Sequence, residues 1–149
     1  MTLWMPLCLL GIAALYDLRD REIPDTIPLL LVGGAIVTSL SGGLPIVWWQ
    51  SLVGGILGGL VVLPFYLAGG FGGGDLKLCA AIGCWLGPVW LWPALFWMAM
   101  AGAVLAVAAA LRGEKAIAYG PAIASGFLIQ FFCPNLLRTF AFGAGTASW

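Results

Sequence analysis

The chain alternates between long apolar runs and short polar or glycine-rich breaks, and this pattern predicts six helical segments. A membrane-spanning helix needs about 20 apolar residues, and somewhat fewer where neighbouring helices draw its ends inward. The predicted segments are, in order, Leu3–Tyr16, Thr26–Leu40, Ile46–Ala68, Leu76–Leu86, Trp92–Leu111 and Ala116–Cys133. The fourth and fifth come from one apolar stretch, which we divide at Gly87-Pro88 because proline removes a helix hydrogen bond.

The composition is typical of an integral membrane protein. Of the 149 residues, 62% are hydrophobic, 8% are charged and none is histidine, and the mean hydropathy is +1.08. These values lie far from those of a soluble domain. We therefore expect an all-α integral membrane protein with about six transmembrane helices and a single domain over residues 1–149. The formal net charge of zero and the lack of a basic tract argue against a nucleic-acid partner.

The cysteines do not indicate a metal site. They are scattered through apolar segments without a CxxC pair, and no histidine is available to complete a zinc site. We interpret all four as buried free thiols and predict neither a metal nor a cofactor: Cys8, Cys79, Cys84 and Cys133.

The charges predict the orientation of the segments. Five of the six basic residues fall on one side, which the positive-inside rule makes cytoplasmic: Arg19, Arg21, Lys77, Arg112 and Lys115. The connections on the opposite side, "SGGLP" and "GPVWLWP", carry no charge. Arg138 is the exception, in a tail after the last segment. We expect a protein of the cytoplasmic (inner) membrane with both termini on the non-cytoplasmic side.

Two aspartates lie at segment ends on the predicted cytoplasmic face. Asp17 ends the first segment, and Asp75 begins the fourth within the stretch "GGFGGGDLK". The predicted sidedness puts them at about the same membrane depth, so we expect them to meet. Carboxylates at this depth are costly, and their default interpretation is functional. Asp75 could instead be a helix N-cap beside Lys77, but the glycines before it also suit close approach by another polypeptide.

The other acidic residues have simpler interpretations. Asp20, Glu22 and Glu114 alternate with basic residues in short loops, which favours solvated charges. Asp25 precedes an apolar run, where an aspartate side chain can accept hydrogen bonds from unpaired backbone N–H groups. We predict that Asp25 caps the second helix.

Two carboxylates in contact can carry out aspartic proteolysis. They share one proton, so that one activates water while the other protonates the developing oxygen or nitrogen. The residues alone leave two other classes open. One is a transporter or proton-conducting subunit that uses Asp17, Asp75 and Lys77 as a relay. The other is an assembly subunit whose small-residue faces pack helices together.

Three motifs resemble those of the type IV prepilin peptidases. "GGGDLKLCAAIGCWLG", Gly72 to Gly87, resembles the family's glycine-x-glycine-aspartate motif and its usual continuation. "DLRDREIPDTIPLLL", Asp17 to Leu31, resembles its other signature, in which an aspartate precedes a second Asp or Asn by eight residues. "AYGPAIASG", Ala118 to Gly126, resembles a third element, although alanine stands at position 118 where proline is frequent.

The resemblance implies a role for individual residues. It makes Asp17 and Asp75 the catalytic pair, with Gly72 and Gly74 shaping the loop and Asp25 structural. It also implies further residues that shape the loop or the substrate site: Lys77, Tyr119, Gly120 and Pro121. The implied protein is a membrane aspartyl endopeptidase with its active site facing the cytoplasm. Its implied partners are the lipid bilayer and prepilin-like precursors, from which it removes a short basic leader.

The departures from the family pattern indicate which branch of the family the chain resembles. Many bacterial members carry an N-terminal module with two CxxC pairs and also methylate the new N-terminus, whereas this chain begins directly with its first segment. It is more similar to the short, peptidase-only branch of Flp-type tight-adherence pili and to archaeal preflagellin peptidases, so methylation is not expected. The nearest alternative within proteolysis is a presenilin-like protease, which shares the GxGD motif but cuts inside its substrate's spanning helix.

Overall fold

The computed structural model describes residues 4–20, 24–111 and 119–133, and all regular structure in these ranges is α-helical. The helices are α1 (Trp4–Asp20), α2 (Thr26–Leu40), α3 (Trp48–Leu67), α4 (Gly73–Leu111) and α5 (Gly120–Phe132). The predicted all-α class is confirmed for these ranges. Several residues of the sequence argument lie outside them: Arg21, Glu22, Arg112, Glu114, Lys115, Ala118 and Arg138.

Within the described ranges, two stretches are long and apolar enough to cross a membrane, Trp48–Leu67 and Gly73–Ala108. Large apolar side chains also cover the outer surface of the helices, for example Leu67 and Leu111, which are 74% and 83% exposed. Such a surface fits a lipid environment, because soluble monomers rarely expose large continuous apolar patches. The count of six spans and the side on which the termini lie remain predictions.

The fourth helix contains a reversal of the chain at Gly87. This residue has φ 68° and ψ 176°, a conformation almost restricted to glycine. The ring of Tyr119 stacks on Phe71, just before α4, and also lies against Gly102. A straight helix would separate the start of α4 from Gly102 by roughly 43 Å, so the chain must turn back between them. Residues 73–86 and 88–111 are therefore two halves of a helical hairpin, divided at the predicted position.

The fourth helix is central to the packing. It contacts α2, α3 and α5, and α1 packs against α5. Where α3 crosses α4, a Cβ atom on Gly54 would collide with the backbone carbonyl of Gly83. Across the same interface, the hydroxyl of Ser51 donates to the carbonyl of Cys84 at 2.7 Å. The interface follows the rule for membrane helices, in which small residues allow the backbones to approach closely.

Two helices extend further than the sequence predicts. α1 continues past Tyr16 to Asp20, and Arg19 in its last turn is favourable beside the negative end of the helix dipole. α4 begins at Gly73 rather than at Leu76, so Gly73 and Gly74 lie in its first turn. Of the glycines between α3 and α4, Gly69 has a positive φ angle, 76°.

The fifth predicted segment also begins early: α4 is helical again from position 88, four residues before the predicted Trp92, so the predicted turn is confined to Gly87. The remaining boundaries differ less. α2 has the predicted bounds, and α3 begins at Trp48, two residues after the predicted Ile46. The described part of the last helix starts at Gly120, and the predicted start at Ala116 lies outside the described residues.

The prediction for the cysteines is half right. Cys79 and Cys84 are buried free thiols in the first half of α4, where this helix packs on its neighbours. Cys8 and Cys133 are free but exposed. Cys8 points away from the buried face of α1, and Cys133 follows the last residue of α5, so neither is enclosed by a second helix of the described part of the chain.

Candidate active site

Asp17 lies on the buried face of α1. Pro6, Leu10 and Ala13 precede it on this face at intervals of three or four residues, and Asp17 is itself only 6% exposed. The backbone N–H of Gly120 donates a hydrogen bond to its Oδ2 atom at 2.5 Å. The carboxylate therefore lies at the N-terminus of α5, where unpaired N–H groups and the positive end of the helix dipole favour an anion.

The start of α5 is shaped to fit this carboxylate. Tyr119 occupies the N-cap position, and Pro121 lies in the first turn. Backbone N–H groups in a first turn have no partner within the helix, so proline, which lacks an N–H, costs no helix hydrogen bond there. A Cβ atom on Gly120 would lie 2.8 Å from both Cβ and Oδ2 of Asp17. A side chain at position 120 would therefore displace the carboxylate.

Asp75 is buried in the first turn of α4, also 6% exposed. Its Oδ2 accepts a hydrogen bond from the backbone N–H of Gly72 at 3.2 Å, an arrangement like one half of a capping box. Its Oδ1 is buried and has no hydrogen-bond partner among the described residues. Leu78 and Ile82, on the same face of α4, are fully buried beneath it.

The structure brings these two aspartates together. Their carboxylates are close enough to interact electrostatically. Each receives a backbone N–H at the start of a helix: Asp17 from α5 and Asp75 from the residue before α4. Like charges near one another in a buried site disfavour each other, so the site favours a state in which one of the two carboxyl groups carries a proton. Within the described ranges, no group of three or more metal-ligating side chains could hold a metal ion.

Asp25 and Lys77 form an ion pair beside this site. The Nζ atom of Lys77 lies 2.6 Å from Oδ1 of Asp25, and both side chains are at least half exposed. The predicted cap of α2 is therefore wrong: Asp25 holds the N-cap position but makes no capping hydrogen bond. Its backbone is helical (φ −58°, ψ −21°) rather than extended as an N-cap usually is, and the ammonium group of Lys77 takes its carboxylate instead.

An aromatic cluster flanks the two aspartates, and sequence reasoning missed one of its central members, Phe71. The rings of Phe71 and Tyr119 are stacked with centroids 4.5 Å apart and an interplanar angle of 30°. Phe65 of α3 packs edge-on against Phe71 at 5.9 Å. The only sequence signal for Phe71 is that it interrupts the glycines before Asp75 with one large side chain.

The sequence model of the type IV leader peptidase family matches residues 4–107, more than two thirds of the chain. The chain belongs to the type IV leader peptidase family. Both aspartates lie in the matched part. Tyr119, Gly120 and Pro121 of this type IV leader peptidase chain lie beyond the matched range, yet the structure places Gly120 directly on Asp17.

Curated relatives support the same family. A prepilin leader peptidase/N-methyltransferase of Bacillus subtilis is 32% identical over 142 residues, which cover 89% of this chain and 55% of the relative. Enzymes of the same name from Aeromonas salmonicida and Neisseria gonorrhoeae are 32% and 34% identical, covering 82% and 76% of this chain and 46% and 42% of theirs. This type IV leader peptidase chain thus spans about half the length of the curated relatives it matches. No solved structure matches it.

Proposed function

We propose that this chain is a membrane aspartyl endopeptidase that removes the short basic leader from type IV prepilin-like precursors. The observation that carries the proposal is the buried pair of Asp17 and Asp75, two interacting carboxylates on different helices. Membership of the type IV leader peptidase family and relatives named prepilin leader peptidases support the choice of substrate. A packing role alone gives no reason for two interacting carboxylates buried on different helices.

The proposed reaction is hydrolysis by a carboxylate pair that holds one proton. The charged carboxylate removes a proton from water, and the water oxygen attacks the peptide carbonyl carbon. The protonated partner gives its proton to the carbonyl oxygen, which produces a neutral tetrahedral diol. When the diol collapses, the proton first taken from water passes to the departing nitrogen. As the C–N bond breaks, a hydroxyl of the diol returns a proton to the other aspartate, which leaves a carboxyl group on the leader, an amine on the mature protein and the carboxylate pair in its starting state.

The lengths of two helices support cleavage near a membrane surface. The aspartates lie at the N-termini of residues 73–86 of α4 and of α5, each roughly 20 Å long. The hydrocarbon core of a bilayer is about 30 Å thick. Helices this short cannot reach from one surface to the other, so we propose that their N-terminal ends, and with them the carboxylates, lie at or slightly below one surface. A precursor whose leader stays in the cytoplasm presents a peptide bond at this depth, and the charge distribution makes the cytoplasmic surface the proposed side.

Co-expression with a type IV prepilin tests the proposal. We expect Asp17→Asn and Asp75→Asn each to reduce leader cleavage by roughly 10²-fold or more, because each removes one half of the proton exchange. The size and N-terminal sequence of the product measure cleavage. The mass of the mature product tests the further expectation that the new N-terminus is not methylated.

Two matched controls separate catalysis from loss of charge. Asp20→Asn alters an exposed carboxylate of the same helix, three residues after Asp17, and Asp25→Asn breaks the ion pair with Lys77. Both variants should retain cleavage at equal protein levels. Cleavage that survives in Asp17→Asn or Asp75→Asn would exclude the aspartyl mechanism and favour the relay or assembly alternatives.

A further inference from the structure

The rings of Phe71 and Tyr119 belong to the two segments that hold the aspartates. Phe71 is bonded to Gly72, whose N–H donates to Asp75. Tyr119 is bonded to Gly120, whose N–H donates to Asp17. Each ring thus lies one residue from the amide that orients one carboxylate.

The stack connects these segments directly. The two ring centroids are 4.5 Å apart, in the range where aromatic pairs contribute beyond simple burial. Phe65 ties the pair to α3, and the Tyr119 ring also lies 3.5 Å from the position a Cβ atom of Gly102 would take. The rings are therefore packed from α3 and from the second half of α4. A shift of one ring would move the amide beside it.

We propose that Phe71 and Tyr119 are positioning residues that set the separation of the two carboxylates through Gly72 and Gly120. This inference rests on the proposed function, since it concerns the geometry of that reaction. Neither ring needs to touch the substrate. Loss of either ring should allow the loop before α4 to move relative to the start of α5, and a small displacement of reacting groups is costly in rate.

Kinetics of purified variants on a full-length prepilin in detergent test this inference. We expect Phe71→Leu and Tyr119→Leu each to lower kcat by about tenfold with little change in KM. Tyr119→Phe keeps the ring and should retain nearly wild-type kcat. The double variant should be no slower than the worse single variant, because the effects of two substitutions that break the same contact do not add.

A pH profile distinguishes positioning from general destabilisation. The two ionisations seen in the pH dependence of kcat belong to the carboxylate pair. A changed distance between the carboxylates in Phe71→Leu should therefore change the pH interval between these two ionisations. The control is Phe96→Leu, which removes an aromatic contact with Trp97 in the second half of α4. It should leave the profile and kcat unchanged.

Each outcome decides the inference. Raised KM with unchanged kcat would make the rings a substrate contact and overturn it, as would wild-type kinetics in Phe71→Leu and Tyr119→Leu. If Phe71→Leu does not fold, Tyr119→Leu alone decides in the same way. If the wild type cleaves no prepilin, or Asp17→Asn and Asp75→Asn still cleave, the proposed function fails and this inference fails with it.

Discussion

At the scale of single residues, the site depends on a backbone amide as much as on the aspartates. Gly120 has no side chain, so its N–H can reach the carboxylate of Asp17 from the start of α5. A charged or protonated carboxyl group needs such donors when it is removed from water. Gly120 therefore contributes both to the position of Asp17 and to its solvation.

Substituting Gly120 tests this directly. In Gly120→Ala the new Cβ atom would lie 2.8 Å from Oδ2 of Asp17, so we expect the carboxylate to move and cleavage to fall by about 10²-fold. The measurement is the rate of leader removal at equal protein level. Gly11→Ala is the matched control, because Gly11 also lies in a helix but has open space around it. Equal rates for the two variants would show that Asp17 does not depend on this contact.

The sequence predicts which aspartates meet but not how they are held. The apolar segments and the charge distribution put Asp17 and Asp75 at one face, and the structure brings them together. The hydrogen bond to Gly120 could not be predicted, because it joins residues 103 positions apart. Asp25 shows the same limit: its local pattern predicts a cap, but Lys77, 52 residues away, provides a charged partner.

At the scale of helices, glycine determines how close α3 and α4 lie. Gly54 and Gly83 are in contact through their backbones, and neither position has room for a Cβ atom. The sequence shows the small residues of "LVGGILGGLV" but does not reveal which of them face α4. Periodicity could not decide this, since Gly54 and Gly55 are adjacent and Gly58 and Gly59 repeat the pair.

The glycines of α3 should differ sharply in tolerance. Gly54→Ala should destabilise the protein by roughly 1–3 kcal/mol, because its methyl group meets the backbone of Gly83, which cannot rotate away. Gly59→Ala should be nearly neutral, because its methyl group would lie 3.6 Å from Cβ of Ala80, an ordinary contact. Thermal unfolding in detergent measures both. Similar midpoints for the two variants would contradict the packing.

At the scale of the whole molecule, the charges of the connections predict how the helices sit in the membrane. The reversal at Gly87 divides the apolar stretch as the sequence predicts, because glycine and proline are strong local signals. The orientation comes from charges, several of which lie outside the described residues. The packing of the helices is the same in either orientation, so the charges alone carry this prediction.

Labelling of single cysteines tests the orientation. In a chain with its native cysteines replaced, Ser41→Cys lies between α2 and α3 on the predicted outer side, and Asp20→Cys ends α1 on the predicted cytoplasmic side. Both positions are exposed. A maleimide that cannot cross membranes should label Ser41→Cys in intact cells, and Asp20→Cys only after the cells are opened. The reverse pattern would invert the proposed orientation.

The contact between Gly54 and Gly83 also has a consequence for the height of the active site. Gly83 lies eight residues after Asp75 on the same half of α4, or about 12 Å along the helix axis. A slide of α4 along α3 by one residue would replace this contact with a side chain against a backbone. The contact between the two glycines therefore fixes the position of α4 along α3, and with it the depth of Asp75. Under the proposed function, a change in the spacing between positions 75 and 83 would shift Asp75 along α3, and cleavage would be expected at another bond of the substrate.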